Sequence, residues 1–200
     1  MKKKQYVIII LQFFRILPTF LIVFLFRRDI VMFEINFYSE ILNLRENLLF
    51  RFGYLLINYK EFRNVIYCRL RISGRLISSV LFKLLFPIMD TLYINSKNIG
   101  RGLFIQHGFS TIIAAKQIGE MCWINQQVTI GFEQNRQPVI GNHVRICCGA
   151  IIIGDVTIGD NSIIAAGSVV TSDVPAGQIW GGNPAHYIKD VKGSSFDNQR

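Results

Sequence analysis

Between Ile99 and Val170 an aliphatic residue returns at every sixth position: Ile112, Ile118, Ile124 and Ile130, then Ile140, Ile146, Ile152, Ile158, Ile164 and Val170. A period of six fits neither the 3.6 residues of a helical turn nor the alternation of an ordinary strand. It fits a parallel β-helix, in which each six-residue unit makes one short side and then turns a corner. The anchors point inward and stack into interior columns. Small or β-branched residues stand four past several anchors, at Val128, Val144, Ala150, Val156, Ser162 and Ser168. Glycine often follows the anchor directly, at Gly100, Gly119, Gly131, Gly141 and Gly159, where a corner needs permissive backbone.

The register breaks twice. Ile105 to Ile112 is seven residues, an insertion of one beside His107. Ile130 to Ile140 is ten, an insertion of four that spans Phe132 to Pro138. Insertions in a solenoid form surface loops and often build its functional face.

Charge divides the chain in two. Residues 1–98 carry 15 basic and 6 acidic residues, which is the whole of the net +9, and 12 of the 16 Phe. Basic, aromatic and aliphatic residues together suit a segment lying on an anionic membrane surface, or a helical oligomerisation arm. Nucleic acid is not expected as a partner, because the apolar content is high and no nucleic-acid module signature is present.

Tyr6 to Phe26 is apolar over 21 residues, interrupted by Gln12, Arg15 and Pro18. That length just reaches across a bilayer. Arg15 near the middle would cost about 2.5–3.5 kcal/mol on insertion. Pro18 should kink the segment. Basic residues flank both ends, so no orientation is selected. We therefore expect an interfacial or buried helix rather than a span, and no small-x-small site marks a secretory signal. Further helices are expected around Ile41–Phe52 with Gly53 as punctuation, from Glu61 to Gly74, and from Ser79 to Phe86, closed by Pro87.

The four cysteines, Cys68, Cys122, Cys147 and Cys148, form no C-x-x-C and no Cys/His spacing that suits zinc. They read as small residues of a reducing compartment. The three histidines, His107, His143 and His186, are 36 and 43 residues apart and give no sign of a metal site. His143 is expected at the surface, and His107 stands beside a register break.

Several segments together resemble the hexapeptide-repeat acyltransferases, and most closely their serine acetyltransferase-like branch. They are Ile99-Gly-Arg-Gly-Leu-Phe-Ile-Gln-His107, Ile124-Asn-Gln-Gln-Val-Thr-Ile-Gly131 and Gly154-Asp-Val-Thr-Ile-Gly-Asp-Asn161, then Ala166-Gly-Ser-Val-Val-Thr-Ser-Asp-Val-Pro175 and Gly182-Asn-Pro-Ala185. Glu61-Phe-Arg-Asn-Val-Ile-Tyr67 is similar to the leader of members found in surface-polysaccharide gene sets. The resemblance implies a mainly β fold, a left-handed parallel β-helix after an α-helical N-terminal region. The expected divisions are 1–95 helical, 96–176 β-helix and 177–200 C-terminal turn and tail.

The resemblance also implies a homotrimer, or a dimer of trimers, with acetyl-CoA in the groove between neighbouring β-helices and no metal. His107 matches the family's catalytic histidine and would act as general base. Asn125 or Gln126 could hold the oxyanion or the acceptor, and Arg136 and Gln137 lie in the inserted loop. Cofactor contacts carry over to Cys148, Ala166, Gly167, Thr171, Ser172 and His186. The family's basic residues at two of those places are Ser172 and His186 here, and Lys189 or Lys192 could compensate. Cys122 is a poor nucleophile, since no histidine lies near it in sequence.

Two departures concern the acceptor. Serine acetyltransferases carry Asp-Ile-His-Pro before the first coil and Arg-His-Pro in the inserted loop. This chain reads Tyr93-Ile-Asn-Ser-Lys and Arg136-Gln-Pro138. From the sequence we therefore expect acetyl transfer to a sugar hydroxyl of a surface polysaccharide or its precursor, at the cytoplasmic face of a membrane. Serine O-acetyltransferase is the nearest alternative, and a non-catalytic β-helix scaffold the second.

Overall fold

The computed structural model describes residues 3–192, which fall into two compact units that divide between Met89 and Asp90. The first unit holds five helices among the described residues: α1 (Lys3–Leu11), α2 (Phe13–Ile41), α3 (Leu48–Asn58), α4 (Lys60–Ile72) and α5 (Leu76–Leu85). Its core is aromatic, with Phe52, Phe62 and Tyr38 fully buried and meeting edge to face. Glu34 of α2 and Arg69 of α4 form a buried ion pair at 2.5 Å.

Local chemistry sets the helix ends differently from the apolar pattern in three places. The break in the N-terminal apolar run comes at Gln12, where α1 and α2 bend by 74°, and α2 runs on through Pro18. Ile41 to Phe52 is not one helix, because α2 ends at Ile41 and Asn47 starts α3, its side-chain oxygen accepting from the Phe50 N–H at 3.1 Å. Gly53 does not end α3 but sits inside it, because a Cβ there would come within 3.0 Å of the Ile16 side chain. Gly74 does close α4, in the left-handed conformation at φ 72°.

The second unit is a parallel β-helix whose strands visit three sheets in turn. The first sheet stacks β1 (Leu92–Ile94), β4 (Thr111–Ile113), β7 (Thr129–Gly131), β10 (Ile151–Ile153) and β13 (Val169–Val170). The second stacks β2 (Asn98–Ile99), β5 (Gln117–Ile118), β8 (Val139–Ile140) and β11 (Thr157–Ile158). The third stacks β3 (Phe104–Ile105), β6 (Trp123–Ile124), β9 (Arg145–Ile146), β12 (Ile163–Ile164) and β14 (Gln178–Gly181), and β15 (His186–Asp190) adds to it antiparallel. The solenoid thus begins before Ile99 and runs past Pro175.

Interior columns follow the repeat. Ile118, Ile140 and Ile158 line one, and Ile105, Ile124, Ile146 and Ile164 another, all buried. Each such side chain contributes roughly 1.5–3 kcal/mol. The column of the first sheet corrects one assignment. Ile113, not Ile112, lies in register with Ile94 and Ile130. Ile113 is fully buried and Ile112 is 46% exposed. The steps are therefore eight residues from Ile105 to Ile113 and five from there to Ile118.

The small residues Val128, Val144, Ala150, Val156, Ser162 and Ser168 are all buried beside these columns. After the second sheet the chain stacks Gly100, Gly119, Gly141 and Gly159. A Cβ at any of the four would come within about 2.4–2.6 Å of the next coil, so the coils close up only with glycine there.

Candidate active site

The corner between the third and first sheets is a ladder of left-handed residues: Ser110, Gln127, Gly149, Gly167 and Gly182, with φ from 52° to 101°. Each of three N–H groups donates to the coil before it: Gln127 to the Phe109 carbonyl, Gly149 to Gln126 and Gly167 to Cys148, at 2.9–3.1 Å. Ser110 therefore fills the regular corner place of its coil. The two extra residues precede it, at His107 and Gly108. His107 takes φ 55° and its carbonyl accepts from the Phe109 N–H at 2.6 Å, a tight three-residue turn. The insertion presents the His107 side chain at the surface.

Beside it, Gln106 is fixed by two donors. Its side-chain oxygen accepts from the Trp123 indole N–H at 3.2 Å and from the Asn125 amide at 3.1 Å. Trp123 is itself clamped by Phe104, edge to face at 4.6 Å, and by the Arg145 guanidinium 5.2 Å from its ring. Sequence reading passed over Gln106 and Trp123. The available signal was position: Phe104, Trp123 and Arg145 each stand one before an anchor and share one register.

Asn125 and Gln126 occupy the next coil of this corner. The Asn125 Oδ1 and Gln126 Oε1 atoms are shielded from water and have no hydrogen-bond partner among the described residues. Such an oxygen forgoes about 1–3 kcal/mol until a donor arrives. One of the two N–H groups of the Asn125 amide donates to Gln106, so the side chain keeps one donor and one acceptor for a bound group. Cys148 follows one coil on, then Ala166 and Gly167. From the His107 coil to that of Ala166 is three rises, about 14 Å. Ala166 and Gly167 are exposed, and a Cβ on Gly167 would meet nothing within 4 Å.

The other candidates lie elsewhere. Thr171 and Ser172 are exposed at the corner between the first and second sheets. The 132–138 loop leaves from that corner, closed by paired backbone bonds between Glu133 and Arg136. Arg136 is exposed and 3.8 Å from the Glu133 carboxylate. Gln137 turns inward and donates to the Ala114 carbonyl at 3.2 Å, tying the loop to its coil. His186 opens β15 at the end of the solenoid, exposed, opposite Gly181. His143 sits in a second left-handed ladder, with Gly102, Met121, Asn161 and Gly177.

Cys122 is fully buried in an interior column, and burial pushes its thiol up to about 12. That environment disarms it as a nucleophile. Burial also raises the Cys147 thiol. No group of three or more His, Cys, Asp or Glu side chains that could hold a metal ion occurs among the described residues.

Residues 137–172 match the family model described as bacterial transferase hexapeptide (six repeats). The serine acetyltransferase of Helicobacter pylori is 40% identical over 95 residues, 45% of this chain and 56% of that protein. That of Staphylococcus xylosus is 38% identical over 109 residues, half of each chain. The chain thus spans about half the length of the curated relatives it matches. The crystal structure of Neisseria gonorrhoeae serine acetyltransferase in complex with serine superposes with a TM-score of 0.63 at 26% identity, covering 80% of this chain and 68% of that one. By its repeats, its coil topology and these likenesses, the chain is similar to the hexapeptide-repeat acyltransferases of the serine acetyltransferase-like branch.

Proposed function

We propose that the chain is an acetyl-CoA-dependent O-acetyltransferase in which His107 is the general base. The observation that carries this is the two-residue insertion that presents His107 at one end of an open corner lined by Gln126, Cys148, Ala166 and Gly167. A pantetheine arm lying along those coils brings the thioester to the histidine. The imidazole takes the proton of the acceptor hydroxyl, and the oxygen attacks the thioester carbonyl. The tetrahedral intermediate collapses, the C–S bond breaks, and the leaving thiolate takes the proton back from the imidazolium. The unpartnered oxygens of Asn125 and Gln126 accept hydrogen bonds from donor groups of the bound acceptor.

Serine is the acceptor that the comparisons favour, since the relatives are serine acetyltransferases and one solved neighbour holds serine. A sugar hydroxyl is the second reading. It is favoured by the neutral amides of Gln106, Asn125 and Gln126 flanking His107, and by the inward turn of Gln137. A neutral polyhydroxyl compound needs no charged partner; the ammonium and carboxylate of serine do.

A homotrimer completes the site in this proposal. The outer face of the first sheet exposes Tyr93, Ile112 and Ile153, with Phe109 and Phe132 at its borders. Packing such a face on a neighbouring β-helix would bring one copy's Arg136 loop toward another copy's His107 corner. In this reading the reaction runs at the cytoplasmic side of the cell membrane, where acetyl-CoA would be drawn from.

Release of CoA from acetyl-CoA, measured with serine, nucleotide sugars and lipid-linked oligosaccharides in turn, tests the proposal. Turnover with serine supports the first reading and turnover with a sugar alone the second. Absence of both turnover and acetyl-CoA binding would sink the enzyme reading.

A further inference from the structure

The helical unit buries one face of its N-terminal helices and leaves the opposite face apolar and bare. Ile9, Ile16, Thr19 and Val23 are buried, and Ile9 and Ile16 close on Gly53 of α3. Val7, Ile10, Leu11, Phe14, Leu17, Leu21 and Leu25 follow helical spacing on the other side and are 39–74% exposed. Helix α5 repeats the pattern. Ser79 and Phe82 are buried, while Leu76, Ile77, Val80, Leu81 and Leu84 are 45–79% exposed.

The helices that carry the two rows, α2 and α5, touch each other. The Arg15 guanidinium, just past the bend, donates to the Leu85 carbonyl at the end of α5 and lies 4.6 Å from the Phe86 ring. A helix that is apolar all round is covered on all sides. Protein covers only one side of these.

Charge identifies what covers the other. Residues 2–28 contain six basic and no acidic residues, and residues 62–89 five basic and no acidic ones. Lys3, Lys4, Arg28, Arg71, Arg75 and Lys83 are exposed around the two rows. A second copy docked by two-fold symmetry would bring each cationic border against itself. An anionic bilayer takes the apolar rows among its acyl chains and the cations among its headgroups. Among the described residues no single helix is long and apolar enough to cross a membrane, and the pair that is long enough together, Lys3–Leu11 with Phe13–Leu25, is bent by 74°, which suits a contact in the interface plane better than a straight span. We propose that the outer faces of α1, the first turns of α2, and α5 are a monotopic docking surface for anionic phospholipid. The proposal stands independently of the acetyl-transfer reading.

Flotation of the full-length protein with vesicles of phosphatidylcholine alone, or mixed in equal parts with phosphatidylglycerol, tests it. The expected result is at least about tenfold stronger binding to the anionic vesicles, weakened by salt. Ile77→Asp combined with Leu84→Asp should remove the binding. These side chains are exposed, so an unchanged circular dichroism spectrum and melting temperature will show that the variant folds. Arg75→Glu with Lys83→Glu should abolish the anionic preference. Wild-type protein that binds neither vesicle would overturn the proposal. So would a wild-type oligomer that the Ile77→Asp, Leu84→Asp variant dissociates without any change in vesicle binding, since the occupant would then be a second copy.

Discussion

At the scale of single residues, the same physical quantity, burial, separates groups that can react from groups that only pack. His107 is presented by an insertion, and Cys122 is sealed in a column. The Cys122 thiol, raised to about 12, ionises far more readily in the unfolded chain, near the ordinary value of 9.0. Its protonated burial is therefore fully compatible with folding below about pH 9, and stability falls as pH rises from there toward 12. Urea titrations at about pH 8 and about pH 10 should show a loss that shrinks in Cys122→Ala, relative to that variant's own stability at the lower pH. Native Cys122 should also resist alkylation at neutral pH while unfolded protein reacts. In the proposed reaction Gln106 is a positioning residue, because it ties Asn125 and Trp123 into one network next to His107. Gln106→Ala should lower kcat/KM for the acceptor by about tenfold, or 1.4 kcal/mol, with KM for acetyl-CoA unchanged. An equal rise in both KM values would instead mark a general loss of structure.

At the scale of elements, the corners specify the β-helix as strictly as the interior columns do. The Gly100, Gly119, Gly141 and Gly159 column is required by space, whereas Gly167, at φ 66° with open space around its Cβ position, is required by backbone conformation. The two requirements predict different costs. Gly119→Ala forces backbone apart and should destabilise the unit by about 3 kcal/mol or more. Gly167→Ala meets only the left-handed penalty of about 1–2 kcal/mol. Urea midpoints of the two variants check the order, and equal costs would refute the distinction.

The period of six made the solenoid and its inward anchors legible, and the break beside His107 marked the corner where the candidate groups gather. Its size was not legible. Ile112 and Ile113 are chemically identical, and only pairing with Ile94 and Ile130 decides which turns inward. Gln137 looked like a loop group free to meet an acceptor, because the Ala114 carbonyl it binds lies a full coil away. In the helical unit, Gly53 reads as a terminator in sequence and acts as a contact point in space. The buried and bare faces of α1 and α2 use the same residue types, so composition alone could not divide them.

At the scale of the whole molecule, two units with opposite surface character share one chain, a cationic helical unit and a neutral β-helix. If the outer face of the first sheet packs against a second and third copy, then Ile112→Asp, at an exposed position, should leave the monomer folded. Sedimentation velocity should then show the trimer lost, and acetyl transfer should fall with it. A monomeric variant that keeps full activity would show that one chain makes a complete site.

The central claim is that His107 removes the acceptor proton. Steady-state CoA release by His107→Ala, set against wild type with the best acceptor of the panel, tests it most directly. The account predicts that kcat falls by about 10²–10⁴ while acetyl-CoA binding by calorimetry is retained. Turnover within a few-fold of wild type would contradict it.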